Sequence, residues 1–159
     1  MRLFDGDLGG PFDLILGLPV HPLVVHSAVV LIPLVSIAGI VMALKSDFAR
    51  RYGKLVFLFA VLGQTAMFVA KSSGEVFEDR LGKEVERHAE FGETAPITSL
   101  PLLALIFLQW QIASGRRLPS AIARLTPIAL IPAAILALVY IYLTGHSGAD
   151  SVWGWISES

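Results

Sequence analysis

Four uncharged apolar stretches, Leu23 to Leu44, Leu55 to Ala70, Ile97 to Ala113 and Ile128 to Leu143, set the limits on what this chain can fold into. A helix rises about 1.5 Å per residue, so the shorter stretches cover about 24 Å of a hydrocarbon core near 30 Å. Flanking residues such as Lys71, Ser72, Ser73 and Thr126 complete the crossing, giving spans of about 23–44, 55–72, 97–114 and 127–144. Composition agrees. With 55% hydrophobic and 16% charged residues in 159, a soluble domain could not bury so much apolar surface. The expected fold is all-α, a four-helix transmembrane bundle forming a single integral membrane domain over residues 1–159.

Orientation follows from the charges between spans. KSDFARRYGK and SGRRLPSAIARLTP, the first and third connections, carry Lys45, Arg50, Arg51, Lys54, Arg116, Arg117 and Arg124 against Asp47 alone, a net of +6. The N-terminal tail, the loop from Lys71 to Pro96 and the C-terminal tail together carry −7. The positive-inside rule then puts both termini outside the cytoplasm, in a cell membrane. The first twenty residues have no basic region or small-residue cleavage site, so the first span is expected to stay as an anchor. Tyr140, Tyr142, Trp153 and Trp155 suit the outer interface, and Tyr52 and Trp110 the inner one. No internal repeat is evident.

There is no cysteine, which excludes disulfides, thiolate-held clusters and c-type haem attachment. Any cofactor must be held by nitrogen, oxygen or methionine sulfur. All four histidines fall in the three outer segments. In LPVHPLVVHSAVVLIPL, Pro22 suits the first helical position, which makes His21 a cap-like residue and puts His26 one turn deeper. In SGEVFEDRLGKEVERHAEFGETAP, Val85, His88, Ala89 and Gly92 share one helical stripe. An outer helix starting near Lys83 and bending near Pro96 is expected, with Gly92 admitting a close neighbour. Glu84, four residues before His88, and Glu90 are placed to support an imidazole. In YLTGHSGADSVWGW, Gly145 is expected to end span four in a left-handed cap, leaving His146 just past the helix and Trp153 folded back onto the membrane. His21, His26, His88 and His146 are thus candidates for one site at the outer mouth.

The segments LPVHPLVVH, ERHAEFGE and TGHSGADSVWG resemble the bacterial multi-pass membrane family catalogued as domain of unknown function 2231, in its actinobacterial branch. The resemblance runs from about Leu18 to Gly154. Where many members continue with His–Phe–Pro, this chain has His26–Ser27–Ala28. It implies a multi-pass membrane protein with no assigned activity. Some relatives are joined to Rieske-type domains, implying redox surroundings.

Three functions fit these residues. The first is a redox protein holding haem b between two imidazoles, for instance His26 with His88 or His146, in an apolar slot. The second is a Zn or Cu site of three or four imidazoles with Glu84 or Glu90 in support. The third is a structural or accessory subunit, or an interaction module, whose histidines only cap helices and which binds no ligand. No catalytic motif is apparent: Gly145–His146–Ser147–Gly148 lacks the strand-to-helix setting of a nucleophile elbow. Within the spans Gln64 and Thr65 are the polar residues noted, and an amide there serves to bridge helices. The partners expected are the lipid bilayer, a redox or other membrane protein, and further copies of the chain in a homo-oligomer. Nucleic acid is not expected.

Overall fold

Lys45 alone joins the first two helices, α1 (Val20–Leu44) and α2 (Ser46–Leu81). The basic stretch expected as a loop is instead the opening of α2. Asp47 lies in its first turn and meets Arg50 at 2.7 Å, a favourable though exposed arrangement at a helix N-terminus. The computed structural model describes residues 10–82 and 86–156. The α2 helix ends at Gly82, whose φ of 61° is the left-handed geometry that glycine tolerates, and its amide closes onto Glu78 and Asp79. The third crossing is made of α3 (Glu86–Thr98) and α4 (Leu100–Ala113), and the fourth is α5 (Ser120–Trp153). Counting α3 and α4 as one crossing, four helical segments among the described residues are long and apolar enough to span a membrane.

A short antiparallel hairpin, β1 (Leu14–Ile15) and β2 (Leu18–Pro19), precedes α1, although no strand was expected. Leu16 and Gly17 both have positive φ, as a tight two-residue hairpin turn requires. The hairpin has a structural consequence. Among the described residues α1 has no side-chain cap, and the Asp13 carbonyl accepts the Val20 N–H at 3.0 Å instead. The helix therefore starts before His21, and His21 is a first-turn residue rather than a cap. Proline costs nothing in that turn, because its missing N–H would have had no helical partner.

Helices α1, α4 and α5 are apolar nearly all round, so burial rather than amphipathicity marks their contact faces. On α1 the buried stripe Ala28, Ile32, Val35, Gly39 and Met42 advances in alternating steps of four and three, the seam of a left-handed bundle. Leu23, Val30, Ile37 and Leu44 lie outside that stripe and are exposed, as a lipid-facing surface would be. Small residues set the spacing. A Cβ added at Gly53 would lie 2.7 to 2.9 Å from the Trp110 side chain, so α2 and α4 touch through that glycine. Trp110 also packs on Phe57 and Phe107, and so is more than an interfacial anchor.

The third crossing breaks at Ser99, not at Pro96. Pro101, at the start of α4, has no N–H to give the carbonyl one turn back, which removes a helical hydrogen bond across the break. Gln64 Nε2 donates to the Pro96 carbonyl at 2.7 Å, while Ser99 Oγ lies 2.9 Å from Gln64 Oε1. Both side chains are buried. Gln64 thus bridges helices as expected, and Gln109, whose Nε2 donates to the Met42 carbonyl at 3.1 Å, is a second bridge that the sequence reading passed over. Replacing Gln64 by leucine should lower stability by about 1 to 2 kcal/mol, read as an earlier unfolding midpoint in detergent.

Candidate functional site

At one end of the bundle α1 and α3 begin while α2 and α5 finish, and a cavity of about 830 Å³ opens between them. That volume is in the range of about 300 to 1,000 Å³ typical of sites that enclose a small molecule or cofactor. Its walls are mostly small and apolar, with Ala28, Ala70, Gly74, Ala89, Gly92 and Gly148 among them. Two imidazoles, His21 from α1 and His88 from α3, face it.

Each ring is held the same way. His21 Nδ1 donates to the Ala70 carbonyl on α2 at 2.9 Å, and His88 Nδ1 donates to the Thr144 carbonyl on α5 at 2.9 Å. A carbonyl can only accept, so the bound nitrogen carries the proton and Nε2 of each neutral ring keeps its lone pair. Three residues after each carbonyl stands a serine. Ser73 and Ser147 both return their hydroxyls to those carbonyls, at 3.2 and 3.0 Å, and each Oγ is 3.5 Å from its imidazole Nδ1. One residue further stands a glycine against the flat of the ring. A Cβ on Gly74 would lie 3.2 Å from His21 Cε1, and one on Gly148 would lie 3.0 Å from His88 Cε1.

The site is therefore two copies of one device, Ala70-x-x-Ser73-Gly74 with His21 and Thr144-x-x-Ser147-Gly148 with His88. The copies come from successive antiparallel helix pairs. One element is unshared: Phe77, one turn after Ser73, stacks on His21 at 5.7 Å, and Ser151 has the matching position in the second copy. Between the copies the imidazole centroids are 6.1 Å apart and their planes cross at 80°. A metal held by two imidazoles from opposite sides, at about 2.0 Å per bond, needs ring centres roughly 6 Å apart.

The device lies within residues 17–155, the stretch matched by the family model described as Predicted membrane protein (DUF2231). The chain belongs to that family. No curated protein matches it, and no solved structure does.

In this DUF2231 chain the four histidines do not form one ring. His26 is five residues from His21, a turn of about 140° around the helix, so the two cannot share a face. It is exposed, with Nδ1 against the Pro22 carbonyl of its own helix. His146 is exposed beside Tyr142 at 5.7 Å, because α5 does not stop at Gly145. Gly145 is not among the residues with positive φ; it continues the helix and lines the cavity. Trp153 is accordingly the last residue of α5 rather than part of a folded-back tail. Gly92 also lines the cavity, where a Cβ would meet nothing within 4 Å, so no element approaches it closely. Glu84 lies outside the described residues. Glu90 is exposed and is not among the lining residues. The mouth carries Glu75, Glu78, Asp79 and Glu93, with Lys71 4.0 Å from Glu75. Among the described residues no three His, Asp or Glu side chains come together as a metal-binding group. The sequence reading missed the serines and glycines as holders, although AKSSG and the matching TGHSG stand in plain view at 70–74 and 144–148.

Proposed function

We propose that the protein is a membrane redox carrier that holds one haem b between His21 and His88. The observation that carries this reading is the matched pair of imidazoles. Each is fixed through Nδ1 to a carbonyl of a neighbouring helix, and their centres are 6.1 Å apart beside a cavity of about 830 Å³. Hydrogen bonding of the distal nitrogen orients a metal-ligating histidine and makes it a better donor. Two protein ligands are enough for a haem, whose ring supplies the other four nitrogens, whereas a zinc site ordinarily takes three or four from the chain. Glycine and alanine walls leave room for a flat ring between helices. What such a group supplies is one-electron transfer, to be exchanged with a second redox protein. The charge imbalance of +6 against −7 supports placing this end of the bundle, with both termini, at the extracytoplasmic face of the cell membrane.

A bare copper or zinc ion between the same two imidazoles is the second reading, favoured by the acidic mouth, which attracts cations. Visible spectra of the detergent-purified protein, oxidised and dithionite-reduced, decide between them when paired with elemental analysis. The haem reading expects a Soret band, sharp reduced α and β bands, and one iron per chain. A featureless spectrum with stoichiometric copper or zinc would select the ion. A colourless, metal-free, folded sample would leave the accessory-subunit role.

A further inference from the structure

We infer that the two carbonyl–serine–glycine units, Ala70/Ser73/Gly74 and Thr144/Ser147/Gly148, are positioning devices that hold the imidazole planes of His21 and His88 crossed around one iron and weaken their donor strength equally. The inference rests on the haem reading and concerns what the ligands' holders do.

Orientation comes first. An imidazole with one nitrogen bonded to a carbonyl can still rock about that bond, so a second contact is needed to fix its plane. Gly74 and Gly148 supply that contact, since each presents bare backbone so close to the ring that an added Cβ would push the ring aside by a few tenths of an ångström. The helices carrying them belong to different pairs, and the planes so fixed cross at 80°. Donor strength comes second. Each carbonyl accepts from two groups at once, the imidazole Nδ1–H and the serine hydroxyl. Sharing the oxygen reduces its pull on the imidazole proton and makes Nε2 a weaker donor to iron. Removing a serine hydroxyl should therefore strengthen the ligand, favour ferric iron and lower the midpoint potential.

The test uses the full chain in detergent. Ferric wild-type protein should give the highly anisotropic, large-g electron paramagnetic resonance signal of crossed imidazole planes, not the rhombic signal of parallel ones. Gly74→Ala and Gly148→Ala should shift that signal or lose haem, while His26→Ala and His146→Ala, whose rings are exposed and do not line the cavity, keep both signal and haem. Ser73→Ala and Ser147→Ala should bind haem fully with a lower potential. A rhombic wild-type signal would overturn the inference with the haem reading intact. So would Gly74→Ala and Gly148→Ala matching wild type, or both serine variants keeping the wild-type potential. Wild-type protein without a Soret band would remove the haem reading itself, and this inference with it.

Discussion

Replacing His21 or His88 by alanine abolishes the Soret band, while replacing His26 or His146 leaves it at wild-type intensity: that is the expected outcome with the largest effect. With one of the two imidazoles gone, haem would be held too weakly to survive purification, and the lost ring also removes one of the donors to the Ala70 or Thr144 carbonyl. The contrast matters more than the loss. All four histidines sit near one end of the bundle, so a general perturbation there would touch them alike. His26 and His146 point away from the cavity, and their removal tests whether orientation, not proximity, makes a ligand. Haem content per chain after purification, measured as the pyridine haemochrome, is the readout. Equal loss in all four variants would refute the pairing. Addition of imidazole to His88→Ala should restore part of the signal, because the emptied space has the size and polarity of the missing ring.

The second large effect is on folding. Gly53→Val should destabilise the protein by about 3 kcal/mol, at the upper end of overpacking costs, because the new Cβ would meet the Trp110 side chain at under 3 Å. Trp110 has little freedom to retreat, packed as it is on Phe57 and Phe107. Gly145→Ala is the comparison. Its Cβ meets nothing within 4 Å, and the gain in helix propensity of up to about 1 kcal/mol should leave it as stable as wild type or slightly more so. Unfolding midpoints in detergent with increasing denaturant separate the two.

The crossings were legible because membrane insertion is written in composition, and Leu23 to Leu44 can serve few other purposes. Helix ends were not. Gly145 and Gly148 have the chemistry of terminators, but the packing of α5 against α1 and α3 keeps the helix going past them to Trp153. That single misreading hid the repeat. With span four ended at 144, TGHSG looked like a turn and could not be set beside AKSSG, which was expected at a helix end. The pairing of His21 with His88 needed tertiary information, since each ring is held by a helix far along the chain. The exclusion of His26 from the face of His21 did not; five-residue spacing on a helix already separates them.

The doubled device has a consequence for how the protein is made. If His21 and His88 hold one group, each helix pair brings one ligand with its own cradle, and neither pair alone would bind what both bind together. A chain that has inserted only α1 and α2 carries His21 with Ala70, Ser73 and Gly74, which is half a socket. On that reading loading would follow only after both pairs have entered the bilayer and met. On the haem reading the bound group would then act as a rivet between them, adding stability that grows with the logarithm of its free concentration relative to its dissociation constant. Occupancy would report completed biogenesis, and unriveted chains would be the ones left open to proteolysis.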